Sequence, residues 1–334
     1  MTVEPDSGIN GNAVVSKNIS ALLNAVACLF LFSCRQSPTG PNAGNWSPWT
    51  QSGMRSLHFA TATVGLGVGQ SGTVVRTTDG GITWSARDSL VRSVEALRSV
   101  FMLSREVAVT VAENGKVFRT TDTGLSWDPI PTNSTNQLNG VFFADVFSGY
   151  AVGLFGTYLT STDGGNSWQT GSAGTTNDLY GVMFLNPDTG FIVGGSGLVL
   201  KTTDAGMTWR QKITGTASTL FSISFSTESV GYAVGQLGTI LKSTDSGEHW
   251  SAESSGTSYD LHAVIAADTS SIYAAGAHGT VLASPPNGRS WTSLSSVTVD
   301  NLTCGCSHVP GSVFILGDYG RLLTITSSHV TLIY

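Results

Sequence analysis

Four carboxylates stand where paired acids could work on a glycosidic bond. Asp178 and Asp260 each sit one residue before a leucine that opens an apolar run, Asp300 sits two before Leu302, and Asp318 lies in a later loop. Two such groups across a cleft act as acid and base, or as acid and nucleophile. Their recurrence at one register of the chain points first to turn chemistry, because a short Asp side chain hydrogen-bonds nearby backbone amides. Cys304, Cys306 and His308 alternate along one strand face and are N/S ligands of the kind that hold zinc. Three ligands from a single strand rarely complete a tetrahedral shell, and Gly140 and Phe142 occupy the same register in another unit, so buried filler is the expectation and no metal or cofactor is predicted. Arg76, Arg119, Lys201 and Lys242 recur three residues before an aspartate, a basic series interrupted by Thr160 and Ala283. It could bind an acidic partner, or simply keep a strand face soluble.

The elements that must position these groups come from a repeat. Tryptophans recur at Trp84, Trp127, Trp168, Trp209, Trp250 and Trp291, at spacings of 43, 41, 41, 41 and 41. A fixed period near 41 marks an array of stacked units. Five of the tryptophans close copies of one phrase, built on Asp79, Asp122, Asp163, Asp204 and Asp245, as in Thr77-Thr78-Asp79-Gly80-Gly81-Ile82-Thr83-Trp84; the sixth copy has Pro286 in place of the Asp. The Asp accepts backbone hydrogen bonds in a tight turn, and the following glycine supplies a positive φ. Each unit also carries short apolar runs. In one of them Leu138 to Ala144, Gly149 to Gly153, Gly156 to Ser161 and the residues around Trp168 read as four strands, and similar phrases begin at Leu57, Leu97, Leu179, Leu220, Leu261 and Leu302. Seven four-stranded units of this length make an all-β chain, a seven-bladed β-propeller. The seventh unit lacks the Asp phrase, so the ring is expected to close by pairing of the amino- and carboxy-terminal segments. The segment around Trp46 and Trp49 is predicted as the outer strand of the last blade, with Val330 to Tyr334 as the competing choice and pairing of both as the third.

Composition agrees. There are 40 glycines, 11% charged residues and a formal net charge of -6, which suits many short strands and offers no cationic stripe for nucleic acid. Ahead of the repeats, residues 1–34 read as an export signal. An apolar stretch from Ile19 to Ser33 is too short to span a membrane and ends in Leu31-Phe32-Ser33-Cys34, which resembles a lipobox with Cys34 as the lipidated residue. Phe32 departs from that pattern. Residues 35–45, with two prolines and two glycines, read as a tether, and residues 46–334 as the propeller. The expected location is extracytoplasmic, lipid-anchored to a membrane.

The Asp phrase is identified as the Asp-box, or bacterial neuraminidase repeat, which joins the third and fourth strands of a blade in the families that carry it. Gly231-Tyr232-Ala233-Val234-Gly235, followed by Gly238-Thr239-Ile240-Leu241-Lys242-Ser243-Thr244-Asp245-Ser246-Gly247, resembles the photosystem II stability and assembly factor family. The resemblance runs from about residue 46 to 334. It implies a seven-bladed propeller that assists assembly of a membrane complex without catalysis.

In a propeller the turns between second and third strands share one face, opposite the Asp-boxes. Leu154, Phe155, Leu237, His278, Asp318 and Tyr319 fall at those turns and are the candidate binding residues. Leu154, Phe155, Leu237 and Tyr319 are larger and more apolar than a solvated turn needs. The reading is of a monomeric, non-catalytic scaffold or assembly factor that presents this face to a protein partner in an envelope or membrane complex. A glycan is the other ligand class considered, and a sialidase-like or other glycosidase propeller is the enzyme alternative.

Overall fold

The structure, a computed structural model, describes residues 53–87, 95–269, 271–285, 290–309, 312–326 and 329–333. The export signal, Cys34, the tether, Trp46, Trp49 and Pro286 lie outside the described residues. Seven four-stranded antiparallel sheets form the seven blades. Blade 3 shows the pattern. Its strands are Leu138–Phe143, Gly149–Gly153, Tyr158–Ser161 and Gln169–Thr170. First strands of neighbouring blades pack side by side around the axis, and the last, Leu302–Val309, packs on the first, Met54–Phe59, so the ring is closed.

The second strand of every blade is a buried run flanked on both sides by other blades, which is why phrases such as Gly149-Tyr150-Ala151-Val152-Gly153 are nearly all apolar. In four blades that strand begins with a glycine that faces a phenylalanine of the first strand. A Cβ on Gly149 would stand 2.5 Å from the Phe143 ring, so the small residue makes room for the large one.

Seven apolar clusters fill the seven seams between blades, one per seam. The tryptophans belong to these seams. Trp168 meets Phe143 edge to face at 5.9 Å, and Trp209, Trp250 and Trp291 meet Tyr158, Phe225 and Tyr232 in the same way. The closing seam joins Met54, Leu57 and Val75 of blade 1 to Phe314, Leu316 and Leu322 of blade 7, and Thr303 Oγ1 donates to the Met54 carbonyl at 3.0 Å.

One expectation needs adjustment. The first blade opens at Met54, which pairs with Gly69 as Leu97 pairs with Ala112, so Leu57 takes the register of Val100 three residues further on. Both residues are buried and fit the apolar pattern, and the pairing register decides for Met54. The described outer strand of the last blade is His329–Leu332, hydrogen-bonded to Leu322–Thr326, which is the carboxy-terminal choice.

Candidate functional site

The two faces are built from turns with the same backbone. On one face each Asp-box closes a hairpin. In blade 3, Asp163 Oδ1 accepts from the Ser167 amide at 2.9 Å and from Ser161 Oγ at 2.8 Å, while Ser161 Oγ accepts from the Gly165 amide at 2.9 Å. Asp79, Asp122, Asp204 and Asp245 repeat the arrangement. Burial works against the charge on Asp79, Asp122 and Asp163, yet the hydrogen bonds together hold these carboxyls below the usual range. At Asp204 the bonds from Thr208 dominate and bring the value to about 2. The boxes are therefore structural and ionised. Each also locks a seam: a Cβ on Gly124 would strike Leu66 of blade 1, and one on Gly81 would strike Phe314 of blade 7.

The basic series reaches toward these turns. Arg119 Nε donates to the Gly164 carbonyl at 2.9 Å, and Lys201 Nζ donates to the Ser246 carbonyl and to Glu248, both at 2.6 Å and both in the box of the next blade. Lys242 lies 3.7 Å from Glu253 and over the Tyr232 ring. Arg76 has a buried Nε with no partner among the described residues. Three of the four cations are thus engaged at or beside seams between blades. They do not gather into one patch with the tips of the other face.

On the opposite face the tips between second and third strands hold a residue with positive φ ahead of a glycine: Ser71, Asn114, Phe155, Ser196, Leu237, His278 and Tyr319, at φ between 54° and 61°. This left-handed conformation suits Gly, Asn or Asp and is uncommon for bulky side chains. Four of the seven are nevertheless bulky. Phe155 is 69% exposed, Leu237 72% and Tyr319 66%, so none is repaid by burial in the chain itself. Leu154, by contrast, is half-buried and donates its amide to the Gln137 carbonyl at 2.9 Å. His278 lies 4.5 Å from the ring of Tyr259, itself 48% exposed in the connection leading to blade 6.

The carboxylates of this face support the tips. Asp178 Oδ1 accepts from the Phe155 amide at 2.8 Å and Asp260 Oδ1 from the Leu237 amide at 2.9 Å, so each clamps the left-handed turn of the preceding blade. Asn301 does the same for His278 at 3.2 Å, and its side chain also donates to Asp318. Asp300 pairs with Arg321 at 3.0 Å. A groove beside Leu237, between Thr216 and Ser255, is lined mainly by glycines and hydroxyls; its one carboxylate, Glu253, accepts from the Trp291 indole at 2.9 Å. Neither arrangement presents an acid and base pair. Cys304 and Cys306 lie in the closing seam, where burial pushes the Cys304 thiol up to about 12 and raises Cys306 as well; no metal-holding group occurs among the described residues.

One set escaped sequence reading. The residue after the opening position of each first strand forms a ring: Arg55, Arg98, Asn139, Tyr180, Phe221, His262 and Thr303. Along one arc neighbours touch, with Tyr180 and Phe221 at 5.3 Å and Phe221 and His262 at 5.6 Å. Arg98 bonds Glu113 and Gln137 at 3.0 and 2.9 Å, which ties the ring to the tip of its own blade. A signal was present in the sequence: the flanking apolar position repeats, while this one is arginine in the first two units and a different residue in each of the other five.

Comparison with known proteins agrees with this architecture. Residues 127–214 match the family model of the photosynthesis system II assembly factor YCF48. The chain is similar to the structure of YCF48 bound to a D1 peptide, at 22% identity and a TM-score of 0.69, with 83% of this chain and 94% of that one covered. YCF48 from Cyanidioschyzon merolae matches at 19% identity and a TM-score of 0.69, covering 83% and 96%. A GH74 xyloglucanase from Xanthomonas campestris shares the fold at 10% identity and a TM-score of 0.68, covering 85% of this chain and 54% of the enzyme. No curated protein matches the chain in sequence.

Proposed function

We propose that this photosystem II assembly factor-like propeller is a non-catalytic platform whose tip face holds a protein partner, as an assembly factor for an envelope or membrane complex. The observation that carries the reading is the set of exposed bulky residues in left-handed backbone, Phe155, Leu237 and Tyr319, the first two clamped by Asp178 and Asp260 where they cannot bury themselves. Strain kept at an exposed site with no folding benefit is a mark of recognition. The peptide-bound relative supports a polypeptide partner over a glycan. The carboxylates hold turns, which removes the support for a glycosidase. Export and lipidation at Cys34 would place the platform outside the cytoplasm, tethered by residues 35–45.

The test is capture of partners by the tethered protein from solubilised envelope, beside the variant Phe155→Asn, Leu237→Asn, Tyr319→Asn. Asparagine accepts the left-handed turn, so the fold is kept while the apolar tips are removed. Loss of specific co-purifying proteins in the variant supports the proposal, and an unchanged set rules out the tips as the contact. Mass measurement of the mature amino terminus checks the lipid on Cys34.

A further inference from the structure

Every tip is held by a backbone bond, and three tips are held by a side chain as well. The residue before each first strand, from Gly53 in blade 1 to Asn301 in blade 7, accepts through its carbonyl from the first amide of the tip in its own blade, at 2.8 to 3.3 Å. Asp178, Asp260 and Asn301 also reach back to the preceding blade. There Oδ1 of each accepts from the amide of Phe155, Leu237 and His278, at 2.8, 2.9 and 3.2 Å. One residue thus joins two consecutive tips.

The side-chain bond follows the bulk of the tip. Behind Ser71, Asn114 and Ser196 the equivalent residues are Ala96, Gln137 and Thr219. Alanine has no acceptor, the Gln137 side chain is engaged by Arg98 and Asn139, and none of the three bonds the tip amide through its side chain among the described residues. Tyr319 is the bulky tip without a clamp, because the residue behind it is Gly53. The fold does not depend on the second bond. Ser71, Asn114, Ser196 and Tyr319 take φ of 54° to 61° without it, and Phe155, Leu237 and His278 take 54° to 57° with it. What the bond adds is rigidity, at residues whose side chains stand in solvent.

We infer that Asp178, Asp260 and Asn301 are positioning residues of the partner contact, which hold Phe155, Leu237 and His278 in the orientation the partner meets; this rests on the assignment of the tip face to a protein partner. A tip already fixed loses less freedom on binding, and apparent affinity falls in proportion as the competent conformation becomes rarer. The requirement is for an acceptor and not for a charge, since Asn301 does with an amide what the two aspartates do with carboxylates.

The probe is the group of envelope proteins that the tethered parent captures and the triple tip variant does not, quantified across a dilution series of the immobilised chain. The variant Asp178→Ala, Asp260→Ala should weaken their apparent affinity about tenfold while the melting temperature moves by no more than about 4 °C. Asp178→Asn with Asp260→Asn should restore the affinity. Gly53→Asp should tighten capture by placing an acceptor behind Tyr319, and the nearest group to its Cβ is the flexible end of Gln70 at 3.3 Å. Without any partner, hydrogen exchange of the Phe155 and Leu237 amides should quicken in the alanine variant, and that of Ser196 should not. Capture unchanged by the alanines, where the triple tip variant loses it, would overturn the positioning role and leave the tip face as the contact. A collapsed melt with faster exchange throughout the ring would mean that the clamps hold the fold, and would overturn it too. Absence of any tip-dependent capture would overturn the role together with the reading it rests on.

Discussion

The Asp-box turns and the opposing tips share one backbone, a left-handed residue followed by a left-handed glycine, and they fill the first position differently. On the box face it is Gly80, Thr123, Gly164, Ala205 and Ser246; on the tip face it includes Phe155, Leu237, His278 and Tyr319. The box residues are small, as expected where the turn is pressed between its own blade and the one before. The tip residues are large and exposed in a conformation that costs a non-glycine residue about 1 kcal/mol or more. Exposed apolar residues also occur beside the boxes, such as Ile82 and Met207, but neither has a positive φ. One end of the blade is thus composed for folding, and the other carries a strain that folding does not require.

The glycine at the second position is where the two ends should behave alike. Gly247→Val would set a branched side chain at φ 75° with Phe191 already 2.3 Å from the Cβ site. Gly238→Val at φ 66° would meet the Thr257 carbonyl at 2.1 Å. Each should destabilise by more than about 4 kcal/mol, seen as loss of the cooperative melt; if either is tolerated, the shared constraint is wrong. Asp122→Ala should cost about 2 kcal/mol in chemical denaturation, since it orphans the Ser126 amide and the Thr120 hydroxyl in a turn that packs on Leu66.

Acid should separate two regions. His58 lies 4.3 Å from Phe101 and accepts from the Met102 amide at 3.2 Å, and burial lowers its pKa from 6.5 to about 4. Above 6.5 the ring is neutral in both folded and unfolded chains and contributes no pH dependence. As pH falls from 6.5 to 4 only the unfolded chain takes up the proton, so stability declines by about 3 kcal/mol and then levels. The depressed box carboxylates act later. Their contribution is present above the ordinary Asp range and is lost as pH falls toward about 2, the folded value at Asp204. His58→Phe, which copies Phe101 and Phe142 at the same register, should erase the first decline and leave the second. Denaturation midpoints between pH 7 and 2 check this.

The fold was legible because its determinants repeat. Trp84 through Trp291, five boxes and seven apolar phrases each restate one local rule, and agreement among copies corrects a degraded copy such as the one at Trp291. At the opening of blade 1 Leu57 and Met54 both satisfy an apolar pattern and both pack in the closing seam, and only the pairing of Met54 with Gly69 chooses between them. The function was less legible for the same reason. A binding face is made of positions that differ between copies, as Arg55, Tyr180, Phe221 and His262 do, and variation carries no periodic signal. Phe155 and Leu237 stood out only because bulk at a turn conflicts with local preference. That Asp178 and Asp260 clamp those turns follows from a register the sequence does show, but the bond to the preceding blade needs the third dimension.

The central claim is that the tip residues serve something other than the fold, and thermal unfolding of the triple variant Phe155→Asn, Leu237→Asn, Tyr319→Asn tests it most directly. Relief of left-handed strain with no core contact removed should raise stability by about 0.5 to 1 kcal/mol per site, with an unchanged denaturant slope. A fall in stability would mean that these side chains pack against their own chain, and would contradict the assignment of this face to a partner.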